Sequence, residues 1–206
     1  MLLSAVRILE LNKKHNLLEN LCKRESENPE GVGIDLRGGK VYKIEGDSFL
    51  GADEHPITKE KLEGLRHSPK VSLVANYEDN KERVSKFTIK PGEYYLIETI
   101  EKVHSPAEKV KYDDFFPEGY LVPVISPRVS LQKGAVALYH ARTNPGYSGP
   151  LIFGLANNGK EDFTFELGAR MFRIDFEGVI GDIDRIYSGQ HQGGRVTSQG
   201  EKEKQN

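Results

Sequence analysis

Residues 143–159 read TNPGYSGPLIFGLANNG, a polar turn, a short apolar run and a second polar turn. Bounded this way, the run predicts a β-strand rather than a helix. Near its middle stands Gly154. Glycine weakens a strand interior through lost packing and added chain entropy, so it marks a bulge, a close backbone approach or a missing group. Strand alternation places Ile152, Gly154 and Ala156 on one face, so no slip of one residue replaces the glycine with a carboxylate.

Moving outward, the same period of two recurs. VGIDLRGG, KVYKIEG, KVSLVANYE, RVSKFTIKPG, EYYLIETIEKV, GYLVPVIS, GAVALYHAR, DFTFEL and ARMFRIDFEGV are short, β-rich and separated by Gly, Pro, Asn or Asp. This punctuation predicts a mainly β sandwich or barrel. The opening residues differ. Val6, Leu9, Leu17, Leu18 and Leu21 recur at roughly helical spacing after an N-cap candidate at Ser4, predicting one helix or two short ones over about 4–25 that Asn28-Pro29 ends. A surface insertion is expected over about 46–88, with Ile57, Leu62 and Leu65 lining one side of a short helix. Residues 1–190 then make one β domain, and the Gly-, Gln- and charge-rich residues 191–206 a flexible C-terminal arm.

Composition removes several functions. A formal charge of -2 over 206 residues gives no surplus of Lys and Arg for a general grip on nucleic acid. No run reaches the roughly 20 apolar residues that cross a bilayer, so no membrane partner is expected. The one cysteine, Cys22, cannot close an internal disulfide, fits a reducing cytoplasm, and is expected as a buried structural thiol in its helix. Zinc is excluded on ligands, because His15, His55, His67, His104, His140 and His191 are scattered without HExxH spacing or a cysteine pair. GxSxG and GxxxxGK[ST] are also absent.

Four pieces, in order, resemble the dCTP deaminase and dUTPase superfamily and its dCTP deaminase-like branch. GVGIDLRGGKVYKI is similar to the family's early strand with an Asp-Leu pair, here Asp35 and Leu36. KPGEYYLIETIEKV matches its Pro-Gly-Glu strand. SPRVSLQKGAVALYHARTNPGYSG looks like the phosphate motif followed by the Asp-Pro-Gly-aromatic-x-Gly turn, and RIYSGQHQGG like the C-terminal lid. The resemblance covers roughly residues 30 to 195, interrupted by the insertion. It implies a distorted, dUTPase-like β-barrel (β-clip) in a homotrimer with active sites shared between subunits. It also implies a pyrimidine deoxynucleoside triphosphate as ligand, with Mg2+ carried on the triphosphate and no metal ligand assigned to the chain.

Carried over residue by residue, the resemblance assigns Arg128, Ser130 and Lys133 to phosphate recognition and site organisation. Base recognition maps onto Tyr139, His140, Ala141 and Asn144. Tyr147 would wall the deoxyribose, and Tyr187 and Gln190 would close over the ligand, with Arg195 adding charge. Departures are as informative: Val129 stands for a serine and Ile186 for a lysine. Gly154 falls where the deaminases carry the catalytic glutamate, and Asn144 where dUTPases carry an aspartate. General base catalysis supplies about 100- to 10,000-fold, so both losses together remove a major contribution. Two readings follow. One is an enzyme, deaminating dCTP or hydrolysing dUTP, that recruits Asp35 or Glu166 as its base; the other is a nucleotide-binding sensor or regulatory homologue without one.

Overall fold

The alternating segments pair because each presents one apolar face, and pairing buries those faces together while satisfying the backbone. A computed structural model describes residues 1–54, 57–59, 61, 64–79, 84–115 and 118–204. In chain order the elements are α1 (Ala5–His15), β1 (Leu18–Glu19), α2 (Lys23–Glu27), β2 (Ile34–Glu45), β3 (Phe49–Leu50), β4 (Leu65–His67) and β5 (Lys70–Asn76). Then come β6 (Lys86–Ile89), β7 (Tyr94–His104), β8 (Tyr120–Pro127), α3 (Val129–Lys133), β9 (Val136–Tyr139), β10 (Ser148–Asn157), β11 (Phe163–Glu166), β12 (Arg170–Val179) and β13 (Glu203–Lys204).

Eight strands form one sheet in the order β8-β12-β2-β7-β10-β9, with β1 added to β7 and β5 to β2. It coils into a nearly closed, mainly β barrel, as the sequence pattern predicts. The inner face carries Ile34, Leu36, Val41, Ile97, Phe153, Leu155, Phe172, Ile174 and Phe176, all buried. Phe153 and Phe172 meet with ring centroids 4.5 Å apart. Each such side chain contributes about 1.5–3 kcal/mol when removed from water. The small sheets β11-β6 and β13-β4-β3 lie outside this path.

Three local expectations change, and one is made definite. VGIDLRGG and KVYKIEG form one strand, β2, because Gly38 and Gly39 serve packing rather than a turn: a Cβ on Gly38 would meet Ile97 Cδ1 at 2.6 Å and Met171 Sδ at 2.7 Å. Of the one helix or two short ones expected over about 4–25, the structure has two, separated by β1. Ser4 caps the first, accepting a hydrogen bond from the Arg7 amide at 3.3 Å, and Asn16 ends it in the left-handed region with φ 49°. Cys22 is the N-cap position of α2 and only half-buried, not a core thiol inside a helix. In the insertion, Leu65 opens β4, Ile57 is exposed at 85 %, and Leu62 lies outside the described residues.

Residues 191–204 run back over the barrel toward the insertion. Ser198 and Ser68 exchange backbone-to-hydroxyl hydrogen bonds at 2.9 and 2.7 Å, and β13 pairs β4. Thr197 and Ser198 are buried there. The C-terminal segment and the insertion therefore share one hydrogen-bond network.

Candidate functional site

The Asn-Pro-Gly turn is built to receive another chain segment. Tyr147 donates its amide to the Asn144 carbonyl at 3.2 Å, and Gly146 adopts φ +95° where a Cβ would meet Ile186 Cγ2 at 2.4 Å. Gly149 is similarly crowded by Gly193 and Gly194, each within 2.9 Å of where its Cβ would stand. Glycine at these two positions lets residues 186–194 lie on the turn. Hydrogen bonds then fasten them: Tyr187 N to Pro145 O at 2.9 Å, Gln192 Nε2 to Gly146 O at 2.7 Å, Ser148 N to Gln192 Oε1 at 3.0 Å, and Gly193 N to Ser148 O at 2.8 Å.

Between this turn, the strands and the C-terminal segment lies a cavity of about 510 Å3. Tyr139, His140, Ala141, Asn144, Tyr147 and Tyr187 line it, six of the residues singled out in the sequence. Tyr147 is buried, its ring centroid 6.0 Å from that of Tyr187, and its hydroxyl donates to the Pro150 carbonyl. Burial, reinforced by Tyr187 and Glu98, pushes its phenol pKa well up, so the ring stays neutral. Arg195 lines the cavity too, joined by Arg142, Thr143, His191, Leu96 and Tyr94.

Gly154 sits in regular pairing, opposite Leu96 on β7 and Tyr139 on β9. The irregularity of this strand falls between Pro150 and Ile152 instead, where the Leu151 amide donates to Thr99 Oγ1 at 2.9 Å. What needs the glycine is Tyr94. A Cβ on Gly154 would stand 1.9 Å from the Tyr94 hydroxyl, and the Tyr94 and Tyr139 rings lie 5.8 Å apart. Burial, then the neighbouring Tyr139, raises the Tyr94 pKa, so this hydroxyl keeps its proton. Among the described residues lining the cavity there is no Asp or Glu.

With this geometry in view, the comparisons with known proteins are specific. A family model described as dCTP deaminase-like matches residues 2–179. The chain belongs to the dCTP deaminase-like family. A probable deoxyuridine 5'-triphosphate nucleotidohydrolase of Methanothermobacter thermautotrophicus is 28% identical, over 85% of this chain and 95% of the relative. A dCTP deaminase of Idiomarina loihiensis is 24% identical over 80% of this chain and 76% of its own length. In fold, the chain is similar to the crystal structure of the dCTP deaminase from Agrobacterium tumefaciens, with a TM-score of 0.55 and 15% identity, over 85% of this chain and 47% of that one.

Within the family frame, the remaining sequence candidates stand elsewhere. Asp35 is 4% exposed, with Oδ2 held by Arg128 at 2.9 Å and Arg170 at 3.0 Å, and it does not line the cavity. Three guanidinium groups, counting Arg173 at 3.8 Å, make it a structural anion rather than a free base. Glu166 is exposed on the β11–β6 ladder, 3.7 Å from Lys86. Neither carboxylate lines this cavity within the single chain. Arg128 is the N-cap of α3, Ser130 and Lys133 lie within it, and none of the three is among the cavity residues, while Gln190 turns away to donate to the Lys204 carbonyl at 3.0 Å. Sequence reading missed Tyr94 and Arg142. Tyr94 reaches Gly154 only because β7 pairs β10, with Tyr94 opposite Ala156 on the face that carries Gly154, and the sequence alone does not give that pairing.

Proposed function

We propose that the cavity binds a pyrimidine deoxynucleoside triphosphate and that the chain is a nucleotide-binding member of its family, a sensor or regulatory homologue, without an in-strand general base. The observation that carries this is the Tyr94 hydroxyl, which fills the space that a side chain at position 154 would need. A neutral phenol accepts no proton at neutral pH, and the described lining offers no carboxylate in its place. Binding groups are retained: Tyr147 and Tyr187 for the sugar, His140 and Asn144 beside the base, Arg142, Arg195 and His191 for charge.

The same lack of carboxylates means that the described lining has no anionic oxygen for Mg2+, so the metal would enter on the triphosphate. Arg128, Ser130 and Lys133 join the site only if a second copy brings its α3 to the cavity. The homotrimer with shared sites that the resemblance implies would do that, and exposed Val129 and Tyr139 are suited to such a contact. No helix among the described residues is long and apolar enough to cross a membrane; a deoxynucleoside triphosphate ligand is what supports the cytoplasmic location in this proposal.

One observation favours the enzyme reading, in which dCTP is deaminated or dUTP is hydrolysed to dUMP and pyrophosphate. Glu98 pairs with Ile152 on the face that carries Gly154 and is 8% exposed, though Lys40 Nζ at 2.7 Å and the Tyr42 hydroxyl at 2.8 Å already hold it. Calorimetric titration with dUTP and dCTP in the presence of magnesium tests the binding claim. Saturable heat from at least one is expected; none from either refutes it.

A further inference from the structure

The cavity has two ends, laid out along β10. At one end Gly154 is bracketed by Leu96 and Tyr139 in register, with Tyr94 over it, a flat and uncharged slot. Four residues earlier, roughly 13 Å along the strand, Pro150 meets Gly194, next to which Arg195, paired with Glu203 at 2.5 Å, and His191 bring N–H donors to the lining. A planar base suits the first end and phosphates suit the second. Tyr94 faces this slot with a hydroxyl that donates to no other described residue.

We propose that Tyr94 is the specificity-determining residue of the site, its hydroxyl donating to the 4-oxo group of a uracil-type base and so ranking that base above a 4-amino base such as cytosine. The proposal rests on the nucleotide-binding reading above. Uracil and cytosine share the 2-oxo group and differ at position 4, where one offers an acceptor and the other two N–H donors. A phenol oxygen delocalises its lone pair into the ring, so it donates better than it accepts. Facing cytosine, the hydroxyl would have to turn, and the described lining supplies no carboxylate to receive the amino protons. Gly154 is then the partner that makes room: any side chain there displaces the hydroxyl that does the reading.

The test is the dissociation constant of dUTP and of dCTP, by calorimetry, for the full chain and for Tyr94→Phe, which keeps the ring and removes one oxygen. The full chain should prefer dUTP by about 10-fold, the size of one neutral hydrogen bond, and Tyr94→Phe should lose that factor on dUTP while leaving dCTP within about 2-fold. Equal affinities in the full chain, a preference for dCTP, or a preference that survives Tyr94→Phe overturns the assignment. Parallel weakening of both nucleotides overturns it as well, since it would mark a contact to the shared 2-oxo group. Gly154→Ala supplies an independent arm: it pushes the hydroxyl out with Tyr94 still present, and should lower the dUTP preference in a protein that melts normally. If the full chain binds neither nucleotide, the underlying reading fails and this inference with it. Binding of both without discrimination sinks the inference alone.

Discussion

Asp35 on β2 and Gly154 on β10 belong to one sheet, with β7 between them, and the chain treats charge oppositely at the two. Around Asp35 it buries anions and surrounds them. Glu25, 1% exposed, accepts from the Asp35 amide at 3.1 Å and from Arg170 at 3.0 Å, with Arg24 on its other side, while Arg128 and Arg170 hold Asp35 itself. Nearby, Glu101 is fully buried and bound by Arg37 at 2.6 Å. Around Gly154 it removes charge and packs tyrosines. An acid ringed by guanidinium groups gives architecture, because accepting a proton would leave those partly buried cations without their counter-ion. The slot without an acid is left for a ligand.

The largest effect that distinguishes the two regions is removal of Arg170, which bridges Glu25 and Asp35. Arg170→Met should cost about 3 kcal/mol in urea unfolding, the scale for stripping one partner from buried ions, with nucleotide affinity unchanged while the protein remains folded. A loss of affinity without loss of stability would reverse the roles assigned here. Next is Ser198→Ala, which leaves the Ser68 amide without its acceptor, a cost of about 1–2 kcal/mol. Its expected readout is local: faster proteolysis within residues 187–204, slowed again by bound nucleotide. Unchanged cleavage with and without nucleotide would deny that this segment is a lid.

Gly154→Glu sharpens the comparison further. It should cost about 1 kcal/mol, since Tyr94 ends in a movable hydroxyl rather than backbone. Alone it should not deaminate dCTP, because the displaced Tyr94 ring still crowds the new carboxylate; paired with Tyr94→Ala it has room to do so. Deamination by the single variant, measured as ammonia, would show that Tyr94 is no obstacle. The smallest effect is in acid. Burial pushes the Glu25 carboxyl up, but the Asp35 amide, Arg24 and Arg170 outweigh it and hold it below its ordinary value. A carboxylate lowered on folding adds stability above its unfolded pKa of about 4.3 and loses it as pH falls through the folded value. Glu25→Gln should therefore be less stable than the parent at neutral pH, with the difference closing as pH drops below about 4. A gap that stays constant would place the effect in packing.

The barrel was legible because alternation and turn residues are local signals, and all ten β-rich segments lie in strands, two of them in β2. Gly38-Gly39 misled for a physical reason: glycine reads alike whether a chain turns or merely admits Ile97 and Met171. The site was legible where its residues are contiguous, from Tyr139 to Tyr147. It was not legible where partners meet only through pairing. The Arg128–Asp35, Lys40–Glu98 and Tyr94–Gly154 contacts join residues separated by 58 to 93 positions, and each decides whether a side chain is structural or available. Asp35 looked free in sequence because none of its three arginines is near it there.

The central claim is that this cavity holds a pyrimidine nucleotide and lacks a base to act on it. The most direct test is prolonged incubation of purified protein with dCTP and, separately, dUTP in magnesium, following ammonia, pyrophosphate and the intact triphosphate. The account predicts bound, unaltered nucleotide with neither product above the protein-free rate. Ammonia from dCTP, or pyrophosphate from dUTP, in proportion to protein would contradict it and point to Glu98.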